Sequence, residues 1–178
     1  RRASNTTSTS TSTWECVEAT AMKAKMYNGL AISTDRTKLF AVDTAGKLVR
    51  IFRIIGSDDE RGSLLSWQGD IRVPHSLDNI DYEDASGDLI AGSIPVGWKA
   101  FRMKDAPNTL TPGGLLRLSK KPQREGGDSG EVDYEVREDL IMDGTDLSMT
   151  STAIAWGDKV MLGSPYSRGI AICRRATG

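Results

Sequence analysis

The chain has 178 residues, of which 38% are apolar and 26% are charged, and its formal net charge is -1 at pH 7. This length and composition predict a single domain with enough apolar material to build a core. The near balance of 23 Lys and Arg residues against 24 Asp and Glu residues excludes a large basic face for nucleic acid. No apolar stretch approaches the roughly 20 residues that span a bilayer, so the sequence predicts no transmembrane segment.

Residues 1–13 differ from the rest of the chain in composition. Nine of these thirteen positions are Ser or Thr, and such a segment cannot bury enough apolar surface to offset its ordering entropy. We expect residues 1–13 to be disordered and residues 14–178 to form the folded part. The chain starts at Arg1 without an initiator Met, and we expect it to be part of a longer protein.

Residues 14–178 consist of short apolar runs that alternate with turn residues. Such runs, bounded by Gly, Asp and Asn, predict β-strands joined by tight turns. The clearest strands are predicted at residues 39–42, 48–52 and 160–162, and the clearest turns at residues 35–37, 84–87 and 156–158. No long amphipathic helix is predicted. The sequence therefore predicts an all-β fold.

An internal repeat predicts the architecture of this part. Its three copies begin at Asn28, at Asp78-Asn79 and at Ser151-Thr152, and each continues into a second strand. Third strands are predicted at residues 47–53, 98–102 and 169–174, and residues 104–147 are predicted to add a Pro/Gly-rich excursion with an outer strand near residues 132–136. Repeats of three or four strands every ~40–50 residues are typical of β-propeller blades.

Three blades are fewer than the roughly four to eight of a closed propeller. An incomplete propeller would leave apolar blade faces and strand edges exposed. Two explanations are open: further blades precede this sequence, which we favour, or a second copy of the chain closes the ring.

The residues that open the repeats are candidates for a metal site. In a propeller the first strand of each blade lines the central channel, so Asn28, Asp78 and Asn79 would converge there. Two amide oxygens and one carboxylate form a hard, all-oxygen donor set of low charge, which suits calcium. Asn and Asp are also common at strand starts because they bond to their own backbone, so the residues alone leave both readings open.

Three strings in the repeat resemble the paraoxonase/arylesterase family of calcium-dependent six-bladed propellers. They are Asn28-Gly29-Leu30-Ala31-Ile32-Ser33; Leu77-Asp78-Asn79-Ile80 with the following Ser86-Gly87-Asp88-Leu89 and Gly92; and Ser151-Thr152-Ala153 with Lys159, Gly163 and Cys173. The similarity is collinear from about Val17 to Arg174. It implies a β-propeller of the six-bladed, calcium-dependent phosphotriesterase type, with about three C-terminal blades present in this chain.

The resemblance also implies a ligand set and a chemistry. Asn28, Asp78 and Asn79 match the catalytic-calcium ligands that this half of the family's propeller contributes. In the family, calcium polarises the carbonyl of a lactone or ester, or a phosphoryl oxygen, and stabilises the oxyanion. The remaining ligands and the histidines usually assigned as the base belong to N-terminal blades that this sequence does not contain.

Some positions depart from the family pattern or have no place in it. Ile94 stands just before Pro95, where related enzymes can carry His. His75, the single histidine, is interpreted as a turn or surface residue. Cys173 matches a cysteine that in animal members pairs with a partner near the N-terminus, and Cys16 is not that partner. From the residues alone, Cys16 and Cys173 could pair or stay free; we favour free, buried thiols.

The first functional hypothesis is a calcium-dependent hydrolase, similar to arylesterases, lactonases and paraoxonases, with small-molecule esters, lactones or organophosphates as substrates. The alternatives are a non-catalytic partial propeller that serves as a binding or scaffold module, and a gluconolactonase- or strictosidine-synthase-like propeller. No catalytic residue is assigned, and whether the isolated chain is an enzyme stays open. Secretion or membrane association is implied only by family analogy.

Two further groups of residues are interpreted as structural. The basic run at residues 117–124 precedes an acidic stretch and is predicted to be a solvated loop rather than a polyanion site. Trp14, Trp67, Trp98 and Trp156 are predicted to be packing and turn residues.

Overall fold

Eleven β-strands and one six-residue helix make up the described parts of the computed structural model, which are residues 18–55, 64–106, 108–121 and 134–174. The all-β prediction is confirmed. The disorder predicted for residues 1–13 and the state of Cys16 lie outside the described residues. Within those residues no helix has the length and apolarity needed to cross a membrane.

The strands form three antiparallel sheets that follow one another along the chain. Sheet A contains β1 (Tyr27–Ile32), β2 (Lys38–Asp43), β3 (Leu48–Ile54) and β4 (Leu65–Arg72), hydrogen-bonded in that order. Sheet B contains β5 (Ser76–Glu83), β6 (Asp88–Ile94), β7 (Gly113–Lys120) and β8 (Tyr134–Met142), with helix α1 (Gly97–Arg102) between β6 and β7. Sheet C contains β9 (Thr152–Trp156), β10 (Lys159–Gly163) and β11 (Ala171–Arg174).

The turns predicted from the sequence connect the first two strands of each sheet. Residues 35–37, 84–87 and 156–158 lie between β1 and β2, β5 and β6, and β9 and β10. Gly87 and Gly157 have φ angles of 75° and 60°, in the left-handed region that glycine adopts at least cost. These two glycines explain why the reversals occur where they do.

Sheet B differs from the prediction at its third strand. Residues 98–102, predicted as a strand, form most of α1, because Ala100 and Met103 at helical spacing both pack against Ile94. The third strand is β7, within the segment predicted as an excursion, and it includes the start of the basic run at residues 117–124. The outer strand predicted near residues 132–136 is observed as β8, and β4 was not predicted.

The repeat is preserved in the strand register. Leu30 pairs with Ala41 in sheet A, and Ile80, 50 residues further on, pairs with Ala91 in sheet B. The corresponding pair in sheet C is Ala153 with Leu162. Because paired residues share a face, each face of one sheet has a corresponding face in the other two sheets. We call the face that contains this pair the front and the opposite one the back.

Sheets pack back to front in chain order. The back of sheet A, with Phe40 and Ile51, shares one core with the front of sheet B, and Phe40 stacks on Tyr82 at 5.9 Å between ring centroids. The back of sheet B, with Ile90 and Leu115, shares a second core with the front of sheet C. Two similar junctions therefore hold three sheets together.

Arg117 on β7 ties the strands of sheet B together on its back face. Its guanidinium donates to Glu83 at 2.9 Å, Asp88 at 3.0 Å and Asp139 at 2.7 Å, which lie on β5, β6 and β8. Burial alone would lower the pKa of Arg117, but the three carboxylates raise it above its ordinary value. The prediction of a solvated loop is wrong for residues 117–120, which belong to β7 and include the largely buried Arg117. Residues 122–124 of the same run lie outside the described residues.

Replacing Arg117 with Met should lower the free energy of unfolding by about 3 kcal/mol, because three poorly hydrated carboxylates lose their shared cation. Urea unfolding monitored by circular dichroism measures this loss. Arg137→Met is the matched control: Arg137 is exposed and 3.6 Å from Asp139, and its replacement should cost less than about 0.5 kcal/mol. Equal losses in both variants would contradict the assigned role of Arg117.

Candidate metal site

Bulges at equivalent points in β1 and β5 position the predicted metal ligands. In sheet A the pairing moves from Tyr27 with Asp43 to Leu30 with Ala41, so Asn28 and Gly29 together face one residue of β2. In sheet B it moves from Leu77 with Ser93 to Ile80 with Ala91, so Asp78 and Asn79 face one residue of β6. A β-bulge bends the strand and redirects its side chains, which brings these residues out of the regular alternation.

Asn28 and Asp78 meet across the junction between sheets A and B. Asn28 Nδ2 donates to Asp78 Oδ1 at 2.6 Å. Asn79 lies next to Asp78 in the chain but contacts sheet C: its Nδ2 and its backbone N–H donate to the Ser151 carbonyl oxygen at 3.1 and 2.9 Å. The structure thus brings Asn28 and Asp78 into direct contact, whereas the side chain of Asn79 bonds to sheet C.

Gly29 allows the backbones of β1 and β5 to approach each other. A Cβ atom at this position would lie 2.6 Å from the Asp78 carbonyl oxygen and 2.7 Å from Asn79 Cα. Gly92 has the same role between sheets B and C, where a Cβ would lie 2.7 Å from the Ser151 carbonyl carbon. Sequence reasoning noted both glycines only as part of a motif and did not predict these contacts.

The electrostatics of Asp78 favour a cation. Burial raises the pKa of Asp78 above its ordinary value, and the hydrogen bond from Asn28 only partly offsets this effect. Asn28 is a neutral partner, so it leaves the charge of the carboxylate uncompensated. A divalent cation beside Asp78 would favour the ionised carboxylate and reverse the shift.

The donor set fits a hard cation. Asn28 and Asn79 each carry an amide oxygen that a half-turn about the last side-chain bond exchanges with the amide nitrogen. Among the described residues, no three His, Cys, Asp or Glu side chains cluster in a way that could hold a metal. A metal at this edge would therefore depend on amide oxygens and the single carboxylate of Asp78, a combination that calcium accepts.

The residues around the site supply no clear base. Ile94 is buried with Met103 and Met149 and has no titratable group. His75 lies at the bend between β4 and β5, where its Nε2 is 2.8 Å from Glu138 Oε1. The interpretation of His75 as a turn residue is confirmed.

The other residues that sequence analysis singled out lie away from Asp78. Cys173 on β11 is free, as expected, but it is only half-buried at the core between sheets B and C rather than fully buried. Trp67, Trp98 and Trp156 are exposed, so the prediction of a packing role is wrong for these three, whereas Trp156 does lie at the predicted turn between β9 and β10. Trp14 lies outside the described residues.

Sequence analysis missed a group of buried hydroxyls near the same edge. Ser93 pairs with Leu77, the residue before Asp78, and Thr150 directly precedes Ser151. Both residues are fully buried, and their side-chain oxygens have no hydrogen-bond partner among the described residues. No spacing in the sequence distinguishes these hydroxyls from those of other serines and threonines.

No protein-family model matches the chain, and no curated protein matches it.

Replacing Gly29 with Ala should separate sheets A and B, because the added methyl group would meet β5 backbone atoms that cannot move aside. We expect a loss of about 2 kcal/mol in unfolding free energy, measured by urea unfolding. Gly169→Ala is the control, since a Cβ there meets nothing within 4 Å. An unchanged stability in Gly29→Ala would contradict the close approach of β1 to β5.

Replacing Asp78 with Asn should stabilise the metal-free chain at pH 7. Because the pKa of Asp78 is raised in the folded state, its ionisation costs stability as the pH rises through that pKa. Partial solvent screening keeps this cost small, so we expect a Tm increase of about 2–4 °C in chelator at pH 7, corresponding to roughly 1 kcal/mol. At pH 3.5 the difference should disappear. A thermal melt at both pH values measures it, and a lower Tm at pH 7 would refute the prediction.

Proposed function

We propose that sheets A, B and C are consecutive blades of a β-propeller, and that Asn28, Asp78 and Asn79 bind calcium at its channel mouth. The observation that carries this proposal is the 2.6 Å contact between Asn28 and Asp78, made across two sheets from equivalent bulges. It joins residues 50 positions apart in the chain. Thr34 Oγ1 repeats the same 50-residue step with Asp84 at 2.7 Å, as expected for neighbouring blades of one repeat.

The reaction that this site supports best is hydrolysis of an ester, a lactone or an organophosphate. Calcium bound there would supply Lewis acidity and stabilise the negative charge that develops on a carbonyl or phosphoryl oxygen. Asp78 would provide the anionic ligand, and Asn28 and Asn79 neutral ones. Low ligand charge leaves the cation electrophilic, which suits catalysis better than a site crowded with carboxylates.

The bulges keep these ligands in place without a substrate. Asn79 is fixed through the Ser151 carbonyl and Asn28 through Asp78, so little side-chain entropy remains to be lost when a cation binds. The buried hydroxyls of Ser93 on β6 and of Thr150, just before β9, add polar groups near this edge. The general base remains unassigned, because Ile94 has no acid–base function.

A non-catalytic propeller that acts as a scaffold is the second candidate. The observation that favours it is the apolar, buried Ile94, at a position where a hydrolase of the resembled family can carry His. A gluconolactonase- or strictosidine-synthase-like propeller would share the calcium site and differ in substrate.

A thermal melt in calcium and then in excess chelator tests the metal site. Binding at a concentration of 100 times Kd stabilises the folded state by about 2.7 kcal/mol, which corresponds to a Tm increase of about 5–10 °C in a chain of this size. Asp78→Asn should abolish this increase. A Tm that does not respond to calcium would contradict the metal proposal.

Asp81→Asn is the matched control for this experiment. Asp81 lies three positions further along β5, and burial likewise raises its pKa. It is not among the proposed ligands, so Asp81→Asn should keep the full calcium response. Equal loss of the response in both variants would show that the charge of β5, rather than a site at Asp78, governs the effect.

Hydrolysis of phenyl acetate and of a γ-lactone separates the two functional candidates. An enzyme should show calcium-dependent turnover that falls at least about 100-fold in Asp78→Ala, because the metal ligand is lost. Calcium binding without turnover would favour the scaffold.

A further inference from the structure

Helix α1 exposes two large aromatic side chains to solvent. Trp98 is 61% exposed and Phe101 is 78% exposed, and none of the residues of the helix is buried. Ala100 and Met103, at the same three-residue spacing, take the opposite side and pack against Ile94. An amphipathic helix normally turns its largest apolar residues toward the core, whereas α1 turns them outward.

This exposure arises in the middle of the chain and not where the sequence begins or ends. α1 belongs to the connection between β6 and β7 of sheet B. Sheet B is packed on both faces, with its front against sheet A and its back against sheet C. Large apolar side chains exposed one helical turn apart on a packed sheet mark an interaction surface.

Positive charge surrounds the exposed rings. Lys99 Nζ lies 5.9 Å and Arg102 Cζ lies 6.0 Å from the centroid of the Trp98 ring, within the range of a cation–π contact. Lys104 follows directly, and Asp105 is the one acidic residue at positions 95–112. Three cations and one carboxylate give this connection a net charge of +2, in a chain whose net charge is -1.

The connection lies at the same end of sheet B as Asp78. Ser76 at the start of β5 pairs with Ile94 at the end of β6, because the two strands are antiparallel. A Cβ atom on Gly97 would lie 3.8 Å from Ser76 Oγ, so α1 begins beside the start of β5. A surface that docks on α1 therefore approaches the end of the sheet that carries Asp78.

We propose that α1 is a membrane-contact site, which places Trp98 and Phe101 in the interface of an anionic lipid bilayer. Tryptophan favours the headgroup level of a bilayer, and the Phe101 ring adds apolar area that the interface buries. Lys99 and Arg102 meet the acidic headgroups and add Coulomb attraction. The contact is peripheral and reversible.

A lipid surface fits this patch better than a protein partner does. The centre of a protein–protein interface is depleted of charged residues, lysine in particular. In α1, by contrast, Lys99 and Arg102 border the Trp98 ring itself. Aromatic residues on one side of a helix with cations directly beside them are typical of helices that lie in a membrane interface.

Vesicle flotation of the 178-residue chain tests the proposal in excess chelator. Chelator excludes calcium bridges between Asp78 and lipid headgroups, and α1 contains none of the proposed calcium ligands, so the result is independent of the proposed function. Binding to phosphatidylcholine vesicles with about 30% phosphatidylserine should exceed binding to pure phosphatidylcholine at least about 10-fold. No binding, or equal binding to both vesicles, would overturn the proposal.

Trp98→Ala tests the aromatic contact. Its binding to the anionic vesicles should be at least about 10-fold weaker, because the apolar area that enters the interface is lost. Trp156→Ala is the matched control: Trp156 is 62% exposed and has Lys159 Nζ 5.0 Å from its ring centroid, but it lies at the turn between β9 and β10, at the other end of the sheets. This variant should bind like the original chain, and equal losses in both would refute the assignment to α1.

Replacing Lys99 and Arg102 together with Gln tests the charge contribution. The double variant should lose the preference for phosphatidylserine and keep only the weak binding to phosphatidylcholine. Salt at about 1 M should do the same to the original chain, because the Debye length falls to about 3 Å. Lys159→Gln, the matched change beside Trp156, should keep the preference. A preference that survives in the double variant would contradict the proposal.

Discussion

The closeness of β1 to β5 at Gly29 is the constraint on which the other features depend. Gly29 has no side chain, and the β5 backbone occupies the space that a Cβ atom would need. Such an atom would lie 2.6 Å from the Asp78 carbonyl oxygen, which is closer than van der Waals contact. This separation allows Asn28 to reach Asp78 and Phe40 to stack on Tyr82 in the same junction. A polar contact at one end of the sheets and an aromatic contact in their interior therefore share one junction.

Two carboxylates of sheet B lie at opposite ends of its strands and have different partners. Asp78 lies near the start of β5 and Asp88 at the start of β6, and since these strands are antiparallel the two carboxylates stand at opposite ends. Asp88 belongs to the network of Arg117, where positive charge is supplied by the chain itself. Asp78 meets a neutral amide. The carboxylates at one end thus share a cation of the chain itself, whereas the Asp78 carboxylate at the other end has a neutral partner.

The sequence was sufficient for the features that follow from short-range pattern. Alternating apolar residues predict β2, β3 and β10, and the repeat aligns Asn28 with Asp78 from the sequence alone. Residues 98–102 show why the pattern can fail: a five-residue run fits both a strand and a helix, and the burial of Met103 by Ile94 and Met149 decided between them. The network of Arg117 could not be predicted from the sequence either. Its three carboxylates are distant from Arg117 in the sequence and meet it only because β5 to β8 pair.

The unequal size of the two internal junctions has a consequence for how the molecule opens. Large rings from Phe40, Tyr82 and Tyr134 fill the junction between sheets A and B, whereas sheet C contributes mainly Ala153, Ala155, Val160 and Leu162 to its junction with sheet B. Less apolar area is lost when sheet C detaches, so local unfolding should begin at the C-terminal sheet. Detachment would also release Asn79 from the Ser151 carbonyl. The order of one proposed ligand is thereby linked to the weakest cooperative unit of the chain.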